Sequence, residues 1–249
     1  MSSKTHDGKV AVVTGAGRGI GQAIAAGLAQ RGAHVIVVDT EDPTDTVEVI
    51  RGAGGAADPY IADVSDEDQV TELADTVAGV HGGADILVNN AGIYPFVPID
   101  DLDYATWRKV LAVNLDSQFL VSKALLPQLR KSGSGRIVNM TSNSIGLAVP
   151  HLTHYMASKM GVIGFTRALA NDVADDGITV NAVGPTLSLT PGVLAAVPEE
   201  LVNNLSNSQA IKKPGEATDV VGTVLFLTGA DSYFVTGQTI MSDGGLVRL

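Results

Sequence analysis

The 249-residue sequence has no cysteine, so it offers no disulfide, no thiolate nucleophile and no cysteine-ligated zinc. That absence permits a reducing compartment, and the cytoplasm is the expected location. Basic side chains are scarce: 16 Lys and Arg stand against 27 Asp and Glu, a formal net charge of −11. Such a balance repels phosphate backbones and anionic membranes, which argues against nucleic-acid and membrane partners. No apolar run approaches the roughly 18 residues of a membrane-spanning helix, and Val10–Val13, behind the polar start Met1–Lys9, is shorter than a signal-peptide core. Repeats, low-complexity tracts and long Pro-rich or Gly/Ser linkers are also missing, so 1–249 is expected to fold as one domain. With 45% hydrophobic and 17% charged residues and a mean hydropathy of +0.22, disorder is excluded.

What the chain does contain is a rhythm. The short apolar runs Val10–Val13, His34–Val38, Ile86–Val88, Arg136–Asn139 and Ile178–Val183 read as strands, each followed by a helical or loop segment. Strands so continuously apolar need helices on both faces, which predicts an α/β fold with a doubly wound parallel sheet. Val70, Leu73, Ala74 and Val77 form one helical stripe, and the spacing of Ser65 and Asp68 predicts a capping box at its start. The irregular segment 187–213, with Pro191, Gly192 and Pro198, is expected to form a helical flap over a cleft.

Thr14-Gly15-Ala16-Gly17-Arg18-Gly19-Ile20-Gly21 joins the first strand to a helix rich in small residues. Glycines there let the backbone approach a pyrophosphate, and the helix N-terminus stabilises its charge. Asp39 ends the second strand, 18 residues past Gly21, where a carboxylate accepts bonds from ribose hydroxyls and repels a 2′-phosphate. NAD is therefore expected, although Arg18 in the loop favours NADP. Asp63-Val64 and Asn89-Asn90-Ala91-Gly92 also fall at strand ends facing this crevice; turn chemistry is the alternative reading of Asn90 and Gly92.

Tyr155 and Lys159 are four apart in a helical stretch and share a face, a weak motif by itself. Ser142 lies 13 residues before Tyr155 at a strand end, and Asn114 interrupts the apolar sequence Val110–Leu115 within a helix. A buried amide without partners costs roughly 1–3 kcal/mol, so Asn114 needs a reason to be there.

This ordered set resembles the short-chain dehydrogenase/reductase family from the glycine loop to Asp243-Gly244-Gly245. The resemblance implies a Rossmann fold and a catalytic tetrad of Asn114, Ser142, Tyr155 and Lys159. It also implies a cofactor site made of Gly15, Arg18, Gly19, Ile20, Gly21, Asp39, Asp63, Val64, Asn90, Ala91, Gly92, Tyr155, Lys159, Pro185 and Leu187. Lys159 would bind nicotinamide-ribose hydroxyls, Asn114 would hold a water, and a homotetramer would assemble through helices Asp103–Lys131 and Thr153–Asp175. One departure is Pro185-Thr186, where the family usually has Pro-Gly.

In chemical terms, a ketone oxygen would accept a hydrogen bond from Ser142 and a proton from Tyr155 as hydride arrives, and alcohol oxidation reverses these steps. Forming tyrosinate at pH 7 demands about 4 kcal/mol, and a lysine ammonium some 4–6 Å away at an effective dielectric near 20 contributes roughly 3–4 kcal/mol. The expected substrate-contacting residues are Ser142, Ile93, Tyr94, His151, Tyr155 and Thr186, in mainly apolar walls that suit a small hydrophobic carbonyl or secondary alcohol. Asn89–Pro95, Thr153–Tyr155 and Gly237–Arg248 further resemble family members acting on aryl secondary alcohols of the 1-phenylethanol type.

Two alternatives stand beside this reading. One is a reductase of 3-oxoacyl thioesters on acidic acyl carrier proteins, docked through Arg130, Lys131, Arg136 and Arg167. The other is a dinucleotide-sensing or scaffold protein without turnover. No metal is expected, since His151 and His154 lack an HExxH pattern and an obvious third ligand. Asp100, Asp101 and Asp103 are expected to serve a helix N-terminus.

Overall fold

Apolar β-branched runs become central strands here because helices cover them on both sides. The computed structural model describes residues 4–248. Its strands are β1 (Val10–Thr14), β2 (His34–Asp39), β3 (Ala56–Ile61), β4 (Ile86–Asn89), β5 (Arg136–Met140), β6 (Thr179–Pro185), β7 (Ser188–Leu189), β8 (Gly215–Glu216) and β9 (Thr239–Ser242). The α-helices are α1 (Gly19–Gln30), α2 (Thr44–Gly52), α3 (Glu67–His81), α4 (Tyr104–Leu111), α5 (Ser117–Lys131), α6 (Thr153–Asp172), α7 (Pro191–Ala196), α8 (Glu199–Ser208) and α9 (Val221–Thr228).

Among the described residues the main sheet has seven strands, all parallel, in the order β3-β2-β1-β4-β5-β6-β9. Side chains alternate between two cores, as the pleat requires. Ala11, Val13, Val35, Val37 and Val88 pack with Ile24 and Leu28 of α1 and Val224 of α9. Val12, Ile36, Val38, Leu87 and Ile137 pack on the other side with Leu73 and Val77 of α3 and Leu125 and Leu129 of α5. Strand order reverses between β1 and β4, and the carboxyl ends of these strands open the crevice where such sheets take ligands.

Two strands of the main sheet lie outside the apolar runs, β3 and β9, and both are its edges. Edge strands are half solvated, so β3 tolerates Asp58 and Pro59, the latter without a ladder hydrogen bond to lose on its open side. The segment 187–213 is more regular than expected, containing β7, α7 and α8. No helix among the described residues is long and apolar enough to cross a membrane.

Three local expectations are corrected. Asp66, not Ser65, caps α3: its carboxylate accepts the Asp68 and Gln69 N–H groups, while Ser65 donates to Asp63 at 2.6 Å. A carboxylate beside the positive helix end outcompetes a hydroxyl already bonded elsewhere. The helix expected over Asp103–Lys131 is interrupted by a π-turn at Ala112–Asp116, and that expected over Thr153–Asp175 ends at Asp172, ahead of a 3₁₀ turn at Ala174–Asp176. Asp103 does cap α4, accepting from Thr106 N at 2.7 Å.

The cap assignment is testable by urea unfolding: Asp66→Ala should lower the midpoint, and Ser65→Ala should lower it less. The reverse order would return the cap to Ser65.

Candidate active site

The glycine loop is shaped by its neighbours across the crevice. Gly15 has φ +60°, and a Cβ there would lie 2.8 Å from Ala91 Cα. At Gly21 a Cβ would overlap the Gly15 carbonyl oxygen and come 2.5 Å from Asn90 Nδ2. Both positions therefore exclude every other residue type for different reasons, one through backbone sign as well as space. Asn90 Nδ2 donates to Thr14 O at 3.0 Å and Gly15 O at 2.9 Å, while Thr14 Oγ1 accepts the N–H groups of Asn90 and Ala91. The Asn90 side chain thus fixes the loop, which is the turn-scaffolding role, and the backbones of Asn90, Ala91 and Gly92 line the crevice.

Helix α1 begins without a side-chain cap among the described residues. Its first N–H groups, around Gly19, Ile20 and Gly21, are left for an anion. Asp39 accepts from Gly17 N at 2.8 Å through Oδ2 and from Thr40 N at 2.8 Å through Oδ1. Arg18, exposed, lies 3.9 Å from the Glu41 carboxylate. Asp63 holds Ser65 at the end of β3, with Val64 buried beside it. A close-approach backbone, an uncapped helix start and a carboxylate beside the loop together fit an adenine dinucleotide.

Beyond β4 the second half of the crevice is built on amides and hydroxyls. Asn114 is fully buried in the π-turn, an insertion often found at functional sites. Its Oδ1 accepts Ile93 N at 2.8 Å, and its Nδ2 donates to Ile93 O at 2.9 Å and Ser158 Oγ at 3.1 Å. The Asn114 side chain clamps Ile93 through its oxygen and one N–H and gives its other N–H to Ser158. Ser158, which sequence reasoning missed, donates to Tyr155 O at 2.6 Å and so joins the Asn114 turn to α6. Its place three residues after Tyr155 on the same face was the available signal.

Ser142 follows β5, and its hydroxyl accepts Ser144 N at 3.2 Å at the start of a short 3₁₀ turn. Lys159 is buried, donates to Met140 O at 2.9 Å and has its Nζ 5.7 Å from the Tyr155 ring centre. Tyr94 meets the Tyr155 ring edge-on, with centres 6.2 Å apart. Burial raises the Tyr155 pKa above its usual value, with the Ser142 hydrogen bond opposing and Tyr94 adding to the rise. Burial also lowers Lys159 to about 8. In the protein alone burial is the largest influence on both groups and pushes each toward its neutral form.

The remaining expected residues are spread over the rim. Pro185 and Leu187 flank β6's end; Thr186 is buried and donates to Gln209 Oε1 at 2.8 Å, anchoring the flap. A Cβ on Gly19 would lie 3.2 Å from Thr190 Cγ2, and one on Gly192 3.4 Å from Tyr94 Oη, so the segment 187–213 runs close to both the glycine loop and Tyr94. His151 is exposed with φ +64°, and its carbonyl accepts Val97 N at 2.9 Å. His154 is wholly buried with neither ring nitrogen hydrogen-bonded to protein, and burial lowers its pKa. Two of the four cations expected as a dock are engaged elsewhere: Arg136 is buried at the start of β5, on the opposite rim, bonded to the Ser134 and Gly135 carbonyls, and Arg130 pairs with Asp176 at 2.7 Å.

The lysine carries a pH signature. Below pH 8 it is protonated in both folded and unfolded chains, and the whole burial cost opposes folding. From about 8 to 10.5 only the unfolded chain keeps the proton, so stability gains as pH rises through that window. Lys159→Met should therefore stabilise the fold at pH 7 by up to about 3 kcal/mol and remove the gain between pH 7 and 10. Urea unfolding at both pH values measures it; a destabilised variant with the wild-type pH slope would contradict the lysine's burial.

The sequence profile of the family described as "Enoyl-(Acyl carrier protein) reductase" matches residues 15–247. The cis-4-hydroxycyclohexanecarboxylate dehydrogenase of Sinomonas cyclohexanicum is 38% identical over 239 residues, covering 95% of this chain and 96% of that protein. A Beutenbergia cavernae structure assigned as an NAD(P)-dependent gluconate 5-dehydrogenase, with NADP bound at low occupancy, superposes with a TM-score of 0.92 at 35% identity, covering 98% and 99% of the two chains. A Brucella melitensis 3-oxoacyl-[acyl-carrier protein] reductase with bound NAD gives 0.90 at 34% identity, covering 99% of this chain and 94% of the other. With its parallel seven-stranded sheet, glycine loop and full-length likeness to these proteins, the chain belongs to the short-chain dehydrogenase/reductase family of oxidoreductases.

Proposed function

We propose that the protein interconverts a secondary alcohol and a ketone with NAD(H), using Tyr155 as acid and base. The observation that carries this reading is the convergence of the Ser142 hydroxyl, the Tyr155 phenol and the buried Lys159 ammonium at the carboxyl ends of β4 to β6. A bound nicotinamide dinucleotide supplies the hydride acceptor or donor and, when oxidised, a positive charge. In alcohol oxidation Tyr155, as the phenolate, would take the proton of the substrate hydroxyl at Oη while hydride left the same carbon; in ketone reduction the phenol would give its proton to the oxygen that Ser142 would hold. Lys159 would stabilise the phenolate and would bind ribose hydroxyls of the dinucleotide. Asn114 is a positioning residue, fixing Ile93 and through it the Tyr94 wall.

Gly15, Arg18, Gly19, Ile20, Gly21, Asp39, Asp63, Val64, Asn90, Ala91, Gly92, Pro185 and Leu187 are the proposed remainder of the cofactor site. NAD preference is supported by the Asp39 carboxylate on the loop and by Glu41 close to Arg18, which oppose a 2′-phosphate. The segment 187–213 is the proposed substrate flap, and Tyr94, Ile93, His151 and Thr186 the proposed substrate wall. The tyrosine pair suits a flat, apolar substrate such as an aryl ketone. Exposed Tyr104, Phe119 and Met160 on α4, α5 and α6 support a homotetramer built on those helices. Likeness to the 3-oxoacyl reductase supports thioester reduction as the second reading, although Arg130 and Arg136 of the expected cationic dock are engaged elsewhere.

Tyr155→Phe should lose about 10²–10⁴-fold in turnover while keeping NADH binding; near-normal turnover would remove the assigned acid/base. In a panel of aryl ketones and 3-oxoacyl thioesters, the ketones should be reduced faster, and the opposite ranking favours the second reading. NADH should outperform NADPH by about tenfold or more, the ratio given by about 1.4 kcal/mol of repulsion, and Asp39→Ala should narrow it. NADH binding with no turnover of any panel member would support a sensing role instead.

A further inference from the structure

Three side chains unused by the crevice meet at the opposite rim of the sheet. His34 opens β2, Asp58 is the third residue of β3 and His81 ends α3. The register pairs His34 with Ala56, so Asp58, two residues on, is its diagonal neighbour on the same face. That face carries Ile36 and Val38 into the core beneath α3, and the last turn of α3 brings His81 to the pair.

His34 Nε2 lies 2.8 Å and His81 Nε2 3.7 Å from the same oxygen, Asp58 Oδ2. One donor atom from each residue can be chosen so that all three lie within 4.8 Å of one another. The imidazole centres are 4.7 Å apart and tilted by 55°. Asp58 Oδ1 is held by Arg51 Nη2 at 2.7 Å, and Arg51 Nε is tied to Ala57 O at 3.0 Å. The carboxylate is thereby oriented from behind, with its free oxygen toward both rings, the arrangement that outer partners give to ligating carboxylates.

We propose that His34, Asp58 and His81 form a binding site for one divalent cation of borderline softness, with Zn²⁺ as the matching probe. Two imidazole nitrogens and one carboxylate oxygen suit such an ion, whereas Mg²⁺ and Ca²⁺ prefer oxygen-rich sites. Bonds of about 2.1 Å in a tetrahedron place donor atoms about 3.4 Å apart, so the His34–Asp58 pair at 2.8 Å must open by about 0.6 Å and the His81–Asp58 pair at 3.7 Å must close by about 0.3 Å, while the two imidazole donors, within 4.8 Å, draw together. His34 and Asp58 remain 36% and 40% exposed, which leaves room for water in the fourth position. The ion would tie edge strand β3 to β2 and α3. Arg51 opposes the incoming charge, but it sits on the far oxygen and is more than half exposed, where solvent screens it.

The competing account is a metal-free clasp in which the imidazoles hydrogen-bond Asp58. The full chain, stripped with a chelator, should bind one equivalent of Zn²⁺, gain thermal stability with it, and give a tetrahedral visible spectrum with Co²⁺. His34→Ala and His81→Gln should each weaken Zn²⁺ binding by at least about tenfold and lose the Co²⁺ spectrum, with unfolding in chelator verifying that each variant folds. No stoichiometric binding by the wild type would overturn the site. Binding undiminished in a His34→Ala/His81→Gln double variant would also overturn it, sending the ion to another of the five histidines.

Discussion

A buried lysine beside a half-buried tyrosine is the constraint on which the rest of the crevice depends. Each group alone is driven toward its neutral form by desolvation, upward in pKa for the phenol and downward for the amine. Lys159 is kept in place by the Met140 carbonyl, and the Tyr155 ring packs edge-on against Tyr94. The protein by itself therefore stores a proton on the phenol. On the proposed reading, the site becomes competent as a base only when additional positive charge enters the same desolvated space, which couples proton transfer to cofactor occupancy.

Around that pair, the fold spends amides where a tighter backbone is needed. Asn90 and Thr14 lock the glycine loop to the β4 exit, and Asn114 locks the next turn of chain through Ile93. The π-turn gives Asn114 its position, since the extra residue in the helical turn aims an amide inward from what is otherwise a lipophilic stripe. These contacts explain why a polar side chain interrupts Val110–Leu115: its N–H groups and one lone pair are all used, so its burial carries no unsatisfied partner.

Much of this was legible in the sequence where burial is complete. The central strands β1, β2, β4, β5 and β6 announce themselves because both faces are covered and most positions are apolar or β-branched. The edges β3 and β9 do not, because half-solvated strands accept Asp58, Pro59 and Gln238 nearby without penalty. Tyr155, Lys159, Ser142 and Asn114 stand out in the sequence by their order and by the family resemblance, yet what each side chain touches does not. The direction of the Tyr155 shift depends on how much solvent the fold removes, and no spacing rule encodes that. Likewise, the cap of α3 turned on which of Ser65 and Asp66 was already occupied by Asp63, and the His34, Asp58 and His81 cluster joins three elements whose proximity only the sheet register creates.

The central claim is best tested by following phenolate absorbance against pH in the wild type and in Tyr155→Phe, whose difference isolates one of the five tyrosines. Without dinucleotide that tyrosine should ionise above the ordinary value near 10, and with saturating NAD⁺ its titration should move toward neutrality. An unchanged titration on NAD⁺ binding, or one already near neutrality without it, would contradict the account.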